Sequence, residues 1–323
     1  MIRNVLVLGG SGFVGRSVCE RLVERNGGGG GRITVPSRRP HRVAHLRTLP
    51  TVEVVPGHVH DEPSLARLVA GHDAVINLVA ILHGNAAEFR RVHVELPQRL
   101  ARLAGPFGVQ RLVHVSALGV NAQNPQEAPS HYLRTKGEGE QALRRGVASC
   151  TVLRPSVLFG EHDRFMNLFA SLLAVAPVVP LAGAASQLQP LWVEDLARAI
   201  VQSLDDERAI GQTIECAGPT VYTLGDLVRY AGRASGRERV VIPLPGPIAR
   251  LQALAMELAP GPTLMSRDNL DSMKSPNVAS GRLPGLDRLG ITPTPMESIV
   301  PGYLGAASGP QRFNLWRAGA PRR

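Results

Sequence analysis

Two side chains near the middle of the chain are spaced as a pair that could do acid–base chemistry. Tyr132 and Lys136 stand four residues apart, and Lys136 and Lys274 are the only two lysines among 36 basic residues. An ammonium is a compact charge that can reach two ribose hydroxyls and lower the pKa of a nearby phenol, whereas a guanidinium suits carboxylates and phosphates. The spacing predicts either a functional pair or, as the alternative, an exposed helical lysine.

A glycine-rich turn at the start of the chain indicates where such a pair would act. Val5-Leu-Val-Leu8 is typical of a strand buried on both faces, and Val14, Val18 and Leu22 then recur as on one face of a helix. Glycines at a strand-to-helix turn let the backbone approach a pyrophosphate, and free N–H groups at the helix start face the anion. We predict a dinucleotide site rather than an empty structural turn. Its residues are Gly9, Gly10, Ser11, Gly12, Phe13, Val14 and Gly15.

The end of the second predicted strand indicates which dinucleotide binds. Sites that prefer NAD place an acidic residue there to hold the ribose 2′-hydroxyl. This chain has Ser37, Arg38 and Arg39 instead, a hydroxyl and two guanidiniums suited to a 2′-phosphate. The sequence therefore favours NADP(H) over NAD(H). Arg38 is the stronger candidate of the two arginines, because Pro40 follows Arg39 and can turn the chain away.

Further strands are predicted at residues 52–55, 74–80 and 112–118. Asp61 follows the first of these and can either cap the next helix or meet the adenine, and small Ala80 lies where the backbone would pass the cofactor. Ser116 lies in the carboxyl-terminal part of the last strand, 16 residues before Tyr132, so a strand end and a helix start could bring both side chains to one substrate oxygen. Pro155 completes the predicted cofactor contacts.

Strands and helices alternate along the chain in the order that a doubly wound sheet requires. We predict an α/β fold with a Rossmann-type doubly wound parallel sheet and a smaller C-terminal lobe for a substrate or partner. Residues 1–155 form the predicted NAD(P)-binding domain. Residues 156–305 form the C-terminal α/β lobe, with some segments returning to the first domain, and residues 306–323 form a basic tail.

Composition excludes several classes of protein. With 323 residues and 44% hydrophobic content the chain can bury a large core. Its three cysteines, Cys19, Cys150 and Cys216, are far apart and predict neither disulfides nor a zinc site, and no metal is expected. No signal peptide is recognised, so we expect a cytoplasmic protein. The apolar stretch 165–181 is shorter than the roughly 20 residues that span a bilayer, and a buried helix is predicted there.

The net charge of +10 raises the question of an anionic partner. Aromatic residues make up only 4% and no nucleic-acid motif is present, which argues against nucleic acid. An anionic lipid surface could instead meet the helix predicted at 247–260 or either of two basic segments, although a solvated chain end explains the tail as well. The arginines of these segments are Arg32, Arg38, Arg39, Arg42 and Arg47, and in the tail Arg312, Arg317, Arg322 and Arg323.

The glycine turn together with Ser116 and Tyr132-x-x-x-Lys136 resembles the short-chain dehydrogenase/reductase superfamily in its extended or atypical branch. In active members the tyrosine transfers the proton, the serine steadies the substrate oxygen, and the lysine holds the nicotinamide ribose and eases ionisation of the tyrosine. The resemblance implies these roles for Tyr132, Ser116 and Lys136. Two departures, Gly57-His58 in place of Gly-Asp and His93 in place of an asparagine, argue against an ordinary epimerase.

Longer segments are similar to the NADPH-binding accessory subunit family of respiratory complex I and its bacterial relatives. They are residues 132–140, 154–169 and 189–197, and the similarity extends to Tyr303. It implies a structural or regulatory nucleotide, and association with complex I or ubiquinone biosynthesis on the cytoplasmic face of the inner membrane. The alternative is an active NADPH-dependent oxidoreductase of a hydrophobic carbonyl or quinone-like substrate, with Tyr132 as the acid/base.

Overall fold

The computed structural model describes residues 2–27, 30–259, 261 and 263–305. The predicted basic tail, 306–323, therefore lies outside the described residues. The strands are β1 Asn4–Leu8, β2 Arg32–Ser37, β3 Val52–Pro56, β4 Ala74–Asn77, β5 Arg111–Val115, β6 Cys150–Pro155, β7 Leu158–Phe159, β8 Val178–Leu181, β9 Gln187–Leu188, β10 Leu191–Trp192, β11 Thr213–Cys216, β12 Tyr222–Thr223 and β13 Val240–Pro243.

The helices alternate with these strands through the first two thirds of the chain. They are α1 Phe13–Arg25, α2 Ala44–Arg47, α3 Glu62–Val69, α4 Ala86–Arg90, α5 Leu96–Ala104, α6 His131–Gly146, α7 Met166–Val175, α8 Val193–Asp205, α9 Leu224–Ala234, α10 Gly246–Leu258, α11 Arg267–Ser272 and α12 Val300–Leu304. A π-helical turn, Arg91–Glu95, joins α4 to α5. Within the described ranges, no helix has the length and apolarity needed to cross a membrane.

Seven parallel strands form the central sheet in the order β11-β6-β5-β4-β1-β2-β3. Alternate residues of β1 point to opposite faces, and both faces are covered. Val5 and Val7 pack under α1 and α8, while Leu6 and Leu8 pack under α3, α5 and α6. The predicted doubly wound sheet is thus confirmed, and its direction of winding reverses between β1 and β4, where such folds bind ligands.

Several element boundaries differ from those predicted. The fourth strand ends at Asn77 rather than at residue 80, because the Asn77 Oδ1 accepts the N–H of Val79 at 3.2 Å and turns the chain. The fifth strand ends at Val115, so Ser116 lies just beyond it. The prediction of one buried helix over 165–181 was wrong: α7 ends at Val175, which is 88% exposed, and β8 follows.

Segments after residue 155 complete the central sheet and also build the smaller lobe. Strand β11 pairs with β6 at one edge of the sheet, and α8 packs on the same face as α1. The remaining elements form a separate apolar core centred on Phe159, Leu173, Leu227 and Val300. The short parallel pair β8–β13 flanks this core, so the lobe presents a two-stranded sheet of its own.

Candidate functional site

The glycine turn between β1 and α1 has a backbone that side chains would obstruct. Gly9 has φ +83°, in the left-handed region that favours glycine, and an added Cβ would lie 3.2 Å from the backbone of Leu78 and Val79. A Cβ on Gly15 would lie 2.4 Å from the backbone of Gly10. The turn therefore keeps a cradle of bare backbone at the carboxyl end of β1.

The start of α1 opens onto this cradle. Gly12 is the residue before the helix and supplies no side-chain cap, and the first turn contains no acidic residue. The helical hydrogen bonds begin with the N–H of Arg16, which donates to the Gly12 carbonyl at 3.1 Å. The N–H groups of Phe13, Val14 and Gly15 therefore have no partner within the helix, and they suit an anionic group such as a diphosphate.

The end of β2 carries uncompensated positive charge. Ser37 Oγ accepts the N–H of Arg39 at 3.2 Å. Arg38 and Arg39 are exposed, and neither guanidinium pairs with a carboxylate among the described residues. Sequence reasoning missed His60, whose pKa is lowered mainly by burial and then by the charges of Arg91, Arg99 and Arg38, and whose buried Nδ1 has no described partner. Ser37, Arg38 and Arg39 at the end of β2 are therefore suited to bind an anionic group.

Three other predicted cofactor residues lie at the ends of strands or helices. Asp61 caps α3, since its Oδ2 accepts the N–H of Ser64 at 2.9 Å, which is the alternative role that the sequence left open. Ala80 is exposed beyond the end of β4. Pro155 is the last residue of β6, and its carbonyl accepts the N–H of Leu118 at 2.9 Å. This bond holds the chain after β5 beside β6.

Lys136 is buried and held in place. Only 2% of its surface is exposed, which contradicts the alternative of an exposed helical lysine. Its Nζ donates to the carbonyl of Val115, at the end of β5, at 2.9 Å. Burial lowers the pKa of Lys136 to about 8, although Glu140, one helical turn later, acts against this. Glu140 is itself bound by both Nε and Nη2 of buried Arg154, at 3.0 and 2.7 Å.

Unpartnered polar atoms lie at the end of β5 beside this lysine. The hydroxyl of Ser116 is buried without a partner among the described residues. His114 Nδ1 accepts from the Asn77 side-chain amide at 3.1 Å, which leaves the ring proton on Nε2, and that atom is also buried and unpartnered within the described chain. Burial and the charge of Lys136 hold the pKa of His114 well below its usual range, so the ring is neutral. Sequence reasoning did not single out Asn77 or His114.

Tyr132 is packed rather than activated. Its ring lies edge-on to His93, with the ring centroids 5.4 Å apart, and edge-on to Phe89 at 6.3 Å. Burial raises the pKa of the phenol to about 12. The expectation that the Lys136 ammonium lowers this pKa was therefore wrong, because desolvation of the phenolate dominates. The phenol is protonated at neutral pH.

His93 has a structural role at this site. Its Nε2 accepts the N–H of Ile81 at 3.1 Å, so the ring proton is on Nδ1, which donates to Thr135 Oγ1 at 3.1 Å. Burial, with Lys136 nearby, lowers its pKa to about 2. Both nitrogens are thus occupied, and the imidazole ties the loop after β4 to α6. Gly139 lets the backbone of His93 pack closely on α6, since a Cβ there would lie 2.0 Å from the His93 carbonyl oxygen.

The C-terminal lobe supplies a cap to the helix that carries Tyr132. Asp268, in α11, accepts the N–H groups of His131 and Tyr132 at 2.7 and 3.1 Å, the first two of α6. The side-chain amide of Asn269 donates to the carbonyl of Leu82, after β4, at 3.2 Å. No local pattern could have predicted these contacts, because the partners are more than 130 residues apart along the chain.

Comparison with known proteins places the chain in a family. A family model described as NAD(P)H-binding matches residues 9–168. The chain is 31% identical over 299 residues to mitochondrial NADH dehydrogenase (ubiquinone) 1 alpha subcomplex subunit 9 of Mus musculus, covering 90% of this chain and 77% of the mouse protein. The chain belongs to the alpha subcomplex subunit 9 family. The Arabidopsis thaliana member is 27% identical over 92% of this chain and 76% of its own length.

This member of the subunit 9 family is also similar to proteins with other names. The ceramide reductase of Caulobacter vibrioides is 29% identical over 75% of this chain and 74% of that protein. Among solved structures, gox2253 superposes with a TM-score of 0.73 at 20% identity, covering 95% and 98% of the two chains. A UDP-glucose 4-epimerase of Thermotoga maritima superposes with a TM-score of 0.69 at 16% identity, covering 97% and 99%. These structures confirm the fold alone.

Proposed function

We propose that this subunit 9 family member binds NADP(H) as a structural or regulatory nucleotide within respiratory complex I or a quinone-biosynthesis complex. The single observation that carries the proposal is the contrast between Lys136 and Tyr132. Lys136 is buried and fixed by Val115, as a ribose clamp requires, whereas the pKa of Tyr132 is raised to about 12. Holding a nucleotide needs Lys136 alone, whereas a reaction that begins with proton abstraction would also need the phenolate of Tyr132, which the raised pKa disfavours.

The proposed nucleotide contacts follow from the site. The diphosphate would lie at the start of α1, over the cradle formed by Gly9, Gly10 and Gly15. The 2′-phosphate of NADP(H) would meet Arg38, with Ser37 and Arg39 beside it, since no carboxylate competes for these guanidiniums among the described residues. The remaining proposed contacts are those of Ser11, Gly12, Phe13, Val14, Asp61, Ala80, Lys136 and Pro155.

The proposed partner rests on the family. The mouse and Arabidopsis relatives are subunits of NADH dehydrogenase by name, and this chain aligns with about three quarters of each. We therefore propose complex I, or a complex that makes its quinone, as the assembly that this chain joins. A peripheral position on the cytoplasmic face of the inner membrane would follow.

A second candidate function is reduction of a hydrophobic carbonyl or quinone-like substrate. The unpartnered hydroxyl of Ser116 favours it, because a substrate oxygen would supply the missing hydrogen bond. A bound nicotinamide would supply the hydride to the carbonyl carbon. Tyr132 would then donate its proton to the carbonyl oxygen, and a phenol with a raised pKa is in the protonated form for that step. The similarity to a ceramide reductase agrees with a hydrophobic substrate.

Nucleotide preference tests the first part of the proposal. We expect the purified protein to bind NADPH more tightly than NADH in a fluorescence titration, because Arg38 can pair with the 2′-phosphate. Arg38→Asp should reduce or reverse the preference, while Arg47→Asp, an exposed site beyond the end of β2, should leave it unchanged. Equal affinity of the unaltered protein for the two nucleotides would contradict the proposal.

Replacement of the tyrosine separates the two candidate functions. Tyr132→Phe should leave NADPH affinity and co-purification with complex I subunits from detergent-solubilised membranes unchanged, because the phenol hydroxyl has no described partner. Lys136→Arg should weaken nucleotide binding, since a guanidinium cannot reproduce the contacts of a buried ammonium. Loss of cellular function in Tyr132→Phe, with nucleotide binding retained, would favour the reductase instead.

A further inference from the structure

The β8–β13 pair turns an apolar face to the outside of the C-terminal lobe. Its parallel register places Val178 beside Val240 and Pro180 beside Ile242, so all four side chains share one face. This face is exposed, with 62% of Val240 and 47% of Ile242 accessible. Val179, Leu181 and Val241, which alternate with these residues, pack into the core of the lobe instead, so the exposed face is the outer one.

Helix α10 continues this face. Ile248, Leu251 and Leu258 recur at intervals of three and seven residues, which places them on one side of the helix. Leu251 is 66% and Leu258 78% exposed. The opposite side of α10 packs inward through Ala249 and Ala253. The helix is therefore apolar on both sides, and its larger apolar side chains point outward rather than into the protein.

The sheet face and the helix are neighbours. The side-chain amide of Gln252 in α10 donates to the carbonyl of Pro180 in β8 at 3.2 Å, and only two residues connect β13 to α10. Single exposed apolar residues are normal on a protein surface, whereas a contiguous set marks a contact site. We call this set the apolar face; it consists of Val178, Val240, Ile242, Ile248, Leu251 and Leu258.

The charges around the apolar face identify its partner. Arg237 and Arg239 precede β13, with exposed Glu238 between them, and exposed Arg250 lies on α10, its Nη2 3.6 Å from Asp271 Oδ2. The exposed positions of α10 are otherwise apolar, and its one acidic residue, Glu257, is engaged by Arg267 at 2.6 and 3.0 Å. An exposed apolar stripe with arginines at its border suits the boundary of an anionic bilayer, where leucine side chains can enter the acyl region and arginines can meet lipid phosphates.

The chain that follows α12 agrees with such a surface. Residues 306–323 contain four arginines, one tryptophan and no acidic residue. Arginine and tryptophan both favour the boundary between lipid and water.

We propose that the apolar face inserts shallowly into an anionic lipid surface, with α10 in the plane of the membrane and the surrounding arginines on lipid phosphates. This contact is additional to nucleotide binding and does not depend on it. The dinucleotide site lies at the carboxyl ends of β1 and β2, in the other lobe, so each activity can be lost alone.

Vesicle flotation of the full-length protein tests the proposal. We expect binding to phosphatidylcholine vesicles that contain phosphatidylglycerol, and weak binding to phosphatidylcholine alone. Combining Leu251→Ser with Leu258→Ser should lower the vesicle partition coefficient about tenfold or more, since two exposed leucines lose their burial in lipid. Phe107→Ser, which alters a residue 39% exposed after α5, should leave it unchanged. Thermal unfolding and NADPH titration verify that each variant is folded.

Three results would overturn the proposal. Absence of binding by the unaltered protein to anionic vesicles would assign the apolar face to a protein partner. Full binding by the doubly substituted protein, lost on raising the salt, would assign the attraction to basic residues alone. Self-association in sedimentation that Leu258→Ser abolishes, without vesicle binding, would assign the face to a second copy of the chain.

Discussion

Replacing Lys136 by methionine should stabilise the nucleotide-free protein while weakening its binding of NADPH. Burial lowers the pKa of Lys136 from 10.5 to about 8, and a difference of about 2.5 pKa units corresponds to about 3 kcal/mol. Methionine fills a similar volume without a charge to desolvate. Loss of the hydrogen bond to Val115 costs about 1 kcal/mol, so the expected net gain at neutral pH is about 2 kcal/mol.

The destabilisation by Lys136 has a defined pH range. Below pH 8 the ammonium is charged in both states and its full cost is present. Between about pH 8 and 10.5 the unfolded chain binds more protons than the folded chain, so this cost is relieved as the pH rises. Burial raises the pKa of the Cys19 and Cys150 thiols from 9.0 to about 12, which lowers stability as the pH rises above about 9. The thiols are present in both the original protein and Lys136→Met, so the difference between their free energies of unfolding reports the contribution of Lys136 alone.

Urea unfolding of the original protein and of Lys136→Met, both without nucleotide and at about pH 7 and about pH 10, measures the difference between their free energies of unfolding. The advantage of Lys136→Met should shrink at the higher pH. Lys274→Met is the matched control, because the Lys274 side chain is 61% exposed in its surface ion pair with Asp271. This substitution should change the free energy of unfolding by less than about 1 kcal/mol. A variant that is less stable than the original protein, by an amount independent of pH, would refute the reasoning.

Three further predictions concern the elements around the site. Gly15→Ala should abolish NADPH binding in a fluorescence titration, because the added Cβ would lie 2.4 Å from the Gly10 backbone. Gly105→Ala should leave NADPH binding unchanged, because a Cβ at that position has no atom within 4 Å. Glu140→Gln should lower the free energy of unfolding by about 3–5 kcal/mol, because it leaves a buried guanidinium unpaired; a change below about 1 kcal/mol in urea would count against it. Asp268→Ala should cost about 1–2 kcal/mol as a lost helix cap, with Asp268→Asn intermediate; identical melting temperatures would rule out the cap.

The elements that the sequence predicted well are those whose information is local. The glycine turn is one, because a left-handed φ at Gly9 and the close approach of Gly15 to Gly10 depend on the absence of a Cβ at those positions. The doubly wound sheet is another, because a strand buried on both faces produces a run of consecutive apolar residues, as in Val5 to Leu8 of β1. The prediction for residues 165–181 failed, because a short apolar run fits a buried helix and a strand equally well.

Tertiary structure alone decided the chemical state of the candidate site. The spacing of Tyr132 and Lys136 was evident from the sequence, but their pKa values depend on how much water packing removes from each group. Burial raises the pKa of Tyr132 and lowers that of Lys136, so the phenol keeps its proton and the ammonium gives up its proton more readily than an exposed lysine would. The cap that Asp268 gives to α6 joins residues 136 positions apart. Such contacts are set by the folding of distant segments against each other, and desolvation by that packing has no local sequence pattern.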